Sequence, residues 1–189
     1  MSIGVINFKS FIMAKISPTI SKGPSLLKVA VFDDFLPPDD LLYILYYNNE
    51  KEWEIQKSDY TGRLGSEFLQ LHLEDEEYFN TYIFNKIKEK IDGDGLSVKE
   101  IYFNGQWPGR DGSFHTDDVT LTALIYIQAY VPEWGGFIQF MEKDNCRSQI
   151  ILPPIQNRMI IFPGDLLHKP YAFSHQVCPM RISLAYKLS

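Results

Sequence analysis

The chain has 189 residues, of which 45% are hydrophobic and 14% aromatic, enough to build one domain with a sizeable core; no internal repeat or low-complexity linker divides it. Eighteen Lys and Arg face 24 Asp and Glu, and the net charge of −6 argues against general affinity for nucleic acid. No apolar run approaches the roughly 18 residues of a membrane span, and Cys146 and Cys178 have neither metal-ligand nor redox-pair spacing, so a soluble cytoplasmic protein with reduced thiols is expected.

Residues 1–26 are expected to form a loose N-terminal arm. Met1 to Ile20 is mildly apolar but carries Lys9 and Lys15 and no clear cleavage site, and Met13 offers an alternative start. Lys28 to Phe32 reads as a short strand. Pro37-Pro38-Asp39-Asp40 then opens a helix, because proline suits the first turn and acids complement its dipole. Leu41, Leu42, Leu45 and Tyr46 are its expected apolar stripe. A second helix is predicted from Glu74–Glu77 onward, with Phe79, Ile83, Ile87 and Ile91 spaced by four and Lys86, Lys88 and Lys90 toward its end. Asp92-Gly93-Asp94-Gly95 stops it, and His72 reads as a surface or helix-entry residue.

From Leu96 onward the pattern changes to short β-rich runs. These are Val98–Trp107, Leu121–Tyr130, Gly136–Met141, Gln149–Leu152, Arg158–Phe162 and Arg181–Leu188, separated by Pro/Gly turns. Many short strands at this spacing suggest a sandwich or jelly roll, with the preceding helices buttressing one sheet.

The chemistry-bearing residues lie within this half. In an extended segment residues i and i+2 share a face, so His115 and Asp117 can reach one ion while Asp118 points away. His168 follows the Ile160–Asp165 strand and turn and can arrive from a neighbouring strand. Two imidazoles and one carboxylate on one face of a metal leave the opposite positions open, the arrangement of non-haem Fe(II) oxygenases. Downstream, Arg181 and Ser183 supply the cation and hydroxyl that an anionic co-substrate would need. A bare His-x-Asp is also common by chance, and open His/His/Asp sites can hold zinc.

Two segments resemble the Fe(II)/2-oxoglutarate-dependent dioxygenases, specifically their prolyl 4-hydroxylase-like branch. They are Gly105–Gly136 (GQWPGRDGSFHTDDVTLTALIYIQAYVPEWGG) and Asn157–Leu188 (NRMIIFPGDLLHKPYAFSHQVCPMRISLAYKL). In order and character these are similar to that branch's Pro-Gly loop, His-x-Asp, Tyr-bearing strand, Trp-Gly-Gly turn, second histidine and closing Arg-x-Ser strand. Lys28–Leu45 is similar to the strand and helix that often open such domains.

The resemblance implies an α+β, mainly β fold: a double-stranded β-helix (jelly-roll, cupin-like) core over residues 96–189, with strand and supporting helices over 27–95. It implies Fe(II) held by His115, Asp117 and His168 as the catalytic centre, 2-oxoglutarate as co-substrate, O2, and ascorbate as an accessory reductant. The far carboxylate of 2-oxoglutarate would meet Arg181 in bidentate fashion, with Ser183 and Tyr126 adding hydroxyls. The implied activity is hydroxylation of a C–H bond in a peptidyl proline or other amino-acid-type substrate, with release of succinate and CO2. Relatives often grip substrate with a segment placed like Ser58–Leu69, so Tyr60, Arg63 and Trp107 are expected at the entrance.

One departure is the spacing of thirteen residues from His168 to Arg181, longer than the nine or ten frequent in prolyl hydroxylases. His175 is the competing second histidine, but it leaves little room to turn before Arg181. Two other readings stay open: a non-catalytic cupin-type binding module, and a nucleic-acid demethylase of the same superfamily, which would need a basic phosphate groove that the sequence does not show.

Overall fold

A computed structural model describes residues 28–56, 68–91, 93, 95–143 and 145–189. The N-terminal arm, Tyr60, Arg63 and most of the 58–69 segment lie outside the described residues.

In chain order the elements are β1 (Ala30–Phe32), α1 (Pro38–Glu50), β2 (Glu54–Gln56), β3 (Phe68–His72), a π-helical turn (Tyr78–Ile83) running into α2 (Phe84–Ile91), β4 (Val98–Gln106), β5 (Leu121–Tyr126), a 3-10 turn (Pro132–Trp134), β6 (Ile138–Glu142), β7 (Asn145–Leu152), β8 (Arg158–Pro163), β9 (Leu167–Pro170) and β10 (Arg181–Leu188). Among the described residues two antiparallel sheets result, one in the order β1-β8-β5-β10-β4-β3-β2 and one in the order β7-β6-β9. This is the expected jelly roll, mostly β with two helices.

Strand periodicity explains where each core lies. On the central strands successive side chains serve opposite faces, and both faces are buried, so the sequence reads as nearly continuous apolar runs. Ile101, Phe103, Ala123, Ile125, Met159, Ile161, Leu184 and Tyr186 turn outward and pack under the helices with Ile44, Phe79, Ile83 and Ile87. Tyr102, Leu124, Tyr126, Ile160, Phe162 and Ala185 turn inward and meet Ile138 and Phe140 of the small sheet. A cavity opens on this second face.

The helices depart from expectation in detail. On α1 the buried positions are Ile44 and Asn48, flanked by the partly buried Leu41 and Leu45, whereas Leu42 (68%) and Tyr46 (64%) are exposed. Leu and Tyr surround this helix, so its sequence left the docked face open, and packing selected the 41/44/45/48 stripe. The second helix does bury Phe79, Ile83 and Ile87, but it begins as a π turn. A spacing of four overshoots a 3.6-residue turn, and the wider π turn takes up the excess. The Tyr186 hydroxyl donates to the Phe79 carbonyl there, at 2.9 Å.

The strand assignments also shift. β3 was not anticipated, because Phe68 and Gln70 share one face while Leu71 packs into the other core, and no clean alternation results. β5 ends at Tyr126 rather than Tyr130; beyond it Gln128 turns its side-chain oxygen to the Ile182 amide. β9, which carries His168, is too short and mixed to announce itself. β7 begins at Asn145, earlier than expected.

Candidate active site

His115 and His168 are fixed to each other by their backbones. Each amide donates to the other's carbonyl at 2.9 Å, an isolated bridge that sets the imidazole centroids 4.2 Å apart. Both Nδ1 atoms lie against carbonyl oxygens, Ser113 at 2.9 Å and Leu166 at 2.8 Å. A carbonyl only accepts, so each Nδ1 carries the proton and each Nε2 keeps its lone pair, as a metal ligand requires.

Asp117 completes the group. Its amide donates to the Gly164 carbonyl at 2.7 Å, and Gly164 in turn donates to Thr120 at 3.1 Å. A Cβ at position 164 would lie 2.1 Å from the Val119 carbonyl oxygen, so only glycine lets the Pro163-Gly164 turn sit against this loop. One donor atom from each of His115, Asp117 and His168 lies within 4.8 Å of the others. Oδ1 of Asp117 is 3.9 Å from His115 Nε2, and Oδ2 is 3.7 Å from His168 Nε2. The His115 side chain is 40% exposed and that of His168 only 5%, so the group opens to one side.

Sequence reasoning missed two members of this cluster. Lys187 of β10, itself buried, places its ammonium on Asp117 Oδ2, and Thr122 donates to the same oxygen at 2.5 Å. The signal was available: β10 alternates, and the rule that pairs Arg181 with Ser183 continues to Ala185 and Lys187. Burial alone would push the Asp117 carboxyl up, but the charge of Lys187 and of His168, with the hydrogen bonds from Lys187 and Thr122, holds it below its ordinary value. Burial pushes the Lys187 ammonium down, and Asp117 only partly offsets that.

Burial, then the neighbouring His115, lowers His168 from 6.5 to about 4. The unfolded chain therefore takes up this proton near pH 6.5, while the folded, metal-free protein resists until about pH 4. Stability conferred by neutral His168 is present above pH 6.5 and declines as pH falls toward 4, at up to about 1.4 kcal/mol per pH unit. The urea midpoint of metal-free protein should thus fall between pH 7 and pH 5, and His168→Gln should flatten that dependence. Equal slopes in the two proteins would contradict it.

The cavity beside the cluster has a volume of about 160 Å³. Arg181, 2% exposed, forms part of its wall. Its Nε donates to the Gly136 carbonyl at 2.9 Å, Nη1 to Gln106 Oε1 at 3.1 Å and Nη2 to the Tyr126 hydroxyl at 3.2 Å. A guanidinium has five N–H groups, so one on each terminal nitrogen has no partner among the described residues. Burial raises the Tyr126 phenol, and Arg181 counteracts this. Ser183, two residues further along β10, is buried and lines the same cavity.

Cross-strand register continues the lining: Gln70 pairs with Asn104, and Asn104 with Ser183. All three face the cavity, and Asn104 Oδ1 is buried without a partner among the described residues. Trp107 is 49% exposed and does not line it; Gln106, one residue earlier, is fully buried and holds Arg181 instead. His175 stays outside the His115/Asp117/His168 group. The extended connection before Arg181 is accommodated by a bridge between Phe173 and Gly135 and by a turn from Ser174 to Val177.

Residues 101–189 match the family model described as the 2OG-Fe(II) oxygenase superfamily. No curated protein matches the sequence significantly. Among solved structures the chain is similar to a prolyl-4-hydroxylase from Pseudomonas putida, at 14% identity over 85% of this chain and 92% of that one, with a TM-score of 0.62. It is also similar to a prolyl hydroxylase from Trichoplax adhaerens in complex with a hypoxia inducible factor peptide fragment (13% identity, 84% and 83% covered, TM-score 0.65). A third is HygX from Streptomyces hygroscopicus with nickel, 2-oxoglutarate and hygromycin B bound (6% identity, 86% and 83% covered, TM-score 0.62). At these identities the likeness establishes the shared fold. Among the described residues no helix is long and apolar enough to cross a membrane.

Proposed function

We propose that this chain is a 2OG-Fe(II) oxygenase that oxidises a C–H bond of an amino-acid-type substrate, peptidyl proline being the foremost candidate. The observation that carries the reading is the pairing of two Nε2 lone pairs and one carboxylate with a buried guanidinium on the wall of the same cavity. The donor set fits Fe(II): nitrogen and carboxylate ligands, with one side left open. The match of residues 101–189 to the family model supports it independently.

In this reading His115, Asp117 and His168 hold the metal. When bound, Fe(II) with 2-oxoglutarate and O2 supplies the oxidation, releasing succinate and CO2 as the substrate gains a hydroxyl. Arg181 orients the co-substrate by offering its two remaining N–H groups to the far carboxylate. Tyr126 and Gln106 hold the guanidinium in place, and Ser183 offers a hydroxyl beside it. The apolar inner face formed by Leu124, Ile138 and Phe162 would limit water at the reacting carbon.

The substrate class rests on the likeness to the two prolyl hydroxylases, one of which holds a peptide. Ascorbate is assigned the accessory role of keeping the iron reduced. The test is succinate release from 2-oxoglutarate by anaerobically iron-loaded protein, with and without proline-containing peptides and free amino acids. Turnover stimulated by one of these is the expected result. Binding of metal and 2-oxoglutarate with no succinate from any condition would instead leave a binding module.

A further inference from the structure

We infer that Lys187 is a positioning residue: it is the counter-ion that preforms Asp117 as a ligand through one oxygen before any metal arrives. The inference rests on the metal site proposed above, and no motif points to it.

Lys187 is 8% exposed and sits on β10 between Glu100 of β4 and Thr122 of β5 in the strand register. Its Nζ bonds Asp117 Oδ2 and lies 3.5 Å from Thr122 Oγ1, which is itself bonded to that same oxygen. Oδ2 thus carries both donors. Oδ1 faces His115 Nε2, 3.9 Å away. Oδ2 also lies 3.7 Å from His168 Nε2, but its lone pairs are engaged by Lys187 and Thr122, so Oδ1 is the oxygen left free for an ion held by the two imidazoles.

Charge accounting supports the same role. A buried charge is tolerated only when paired. Asp117 and Lys187 neutralise one another, so the carboxylate is paired and held in place by this contact before an ion is bound. An arriving divalent ion then meets a resident cation across the same carboxylate. Lys187 therefore trades some metal affinity for a ready-made ligand set. Arg181 is not an alternative partner: it lies six residues back along β10, roughly 20 Å of extended backbone, and is engaged by Gly136, Gln106 and Tyr126.

The test uses Co(II) as a visible-absorbing probe on the full chain, with thermal unfolding of the metal-free protein alongside. Lys187→Met should lower the metal-free Tm by several degrees. It should also bind Co(II) at least about ten-fold more tightly, since a like charge has gone, and shift its d–d spectrum as Asp117 becomes free to offer both oxygens. A merely structural lysine would move the Tm alone. Because this variant leaves a buried carboxylate unpaired, Asp117→Asn/Lys187→Met provides the second measurement. With both charges removed it should be more stable than either single variant, a coupling that a double-mutant cycle reads directly. Wild-type Co(II) affinity and spectrum in Lys187→Met, or additive stability costs in the cycle, would overturn the inference. A wild-type chain that takes up no Co(II) would overturn the metal site and this role together, an outcome distinct from those two.

Discussion

His115→Ala is expected to abolish metal uptake and succinate release while leaving the fold intact. Its side chain is 40% exposed, and its one side-chain hydrogen bond among the described residues is to the Ser113 carbonyl in the same loop, so truncation creates no core cavity. The bridge to His168 is made by backbone atoms and survives the change. One ligand of three is lost, and the loss in affinity should exceed the roughly hundred-fold seen when only a supporting partner is removed. Asp117→Ala should lose the metal equally but would also strand Lys187 as an unpaired buried cation, costing about 3–5 kcal/mol of stability. The histidine variant is therefore the cleaner reading. Calorimetric titration with Fe(II) under anaerobic conditions, paired with an unfolding curve, checks it; retained turnover would dismiss His115 as a ligand.

Arg181→Met should separate the co-substrate from the metal. Two charge-assisted hydrogen bonds to a carboxylate contribute about 1.5–3 kcal/mol each, so the KM for 2-oxoglutarate should rise about a hundred-fold or more. Metal affinity should be nearly unchanged, because none of the groups bonded to Arg181 is His115, Asp117 or His168. Some stability is lost as well: the Gly136 carbonyl, Gln106 Oε1 and the Tyr126 hydroxyl each forfeit a donor in a buried setting. Measuring KM at saturating Fe(II) isolates the binding effect. An unchanged KM would place the co-substrate elsewhere in the cavity.

The sequence made the β-rich half and the His115/Asp117 pair legible through short-range rules, alternation along strands and Pro/Gly turns between them, whereas His168, on β9, joined them through resemblance. Arg181, Ser183 and Tyr126 were legible through resemblance, and the register of β10 against β5 brings Ser183 opposite Tyr126. Lys187 was within reach of the same alternation and was passed over only because the motif ended two residues past Arg181. Other features depended on tertiary choice. The docked face of α1, the π turn before α2 and the burial of Gln106 in place of Trp107 were settled by partners distant in sequence. Gln70 and Asn104 become neighbours only through the pairing of β3 with β4.

The long interval between His168 and Arg181 loses its significance once β10 is considered as a ruler. Arg181 is positioned by pairing with Gln106, and Lys187 by pairing with Thr122, not by its distance from His168. The segment that turns between Ser174 and Val177 carries the exposed His175 and Gln176, so added residues there need not disturb either cation. The chain is thus free to lengthen before β10 but not within it. There a single inserted or deleted residue would turn the Arg181-Ser183-Ala185-Lys187 face away from the cavity at some point along its length. Loop length in this protein is open to drift, and strand length is under constraint.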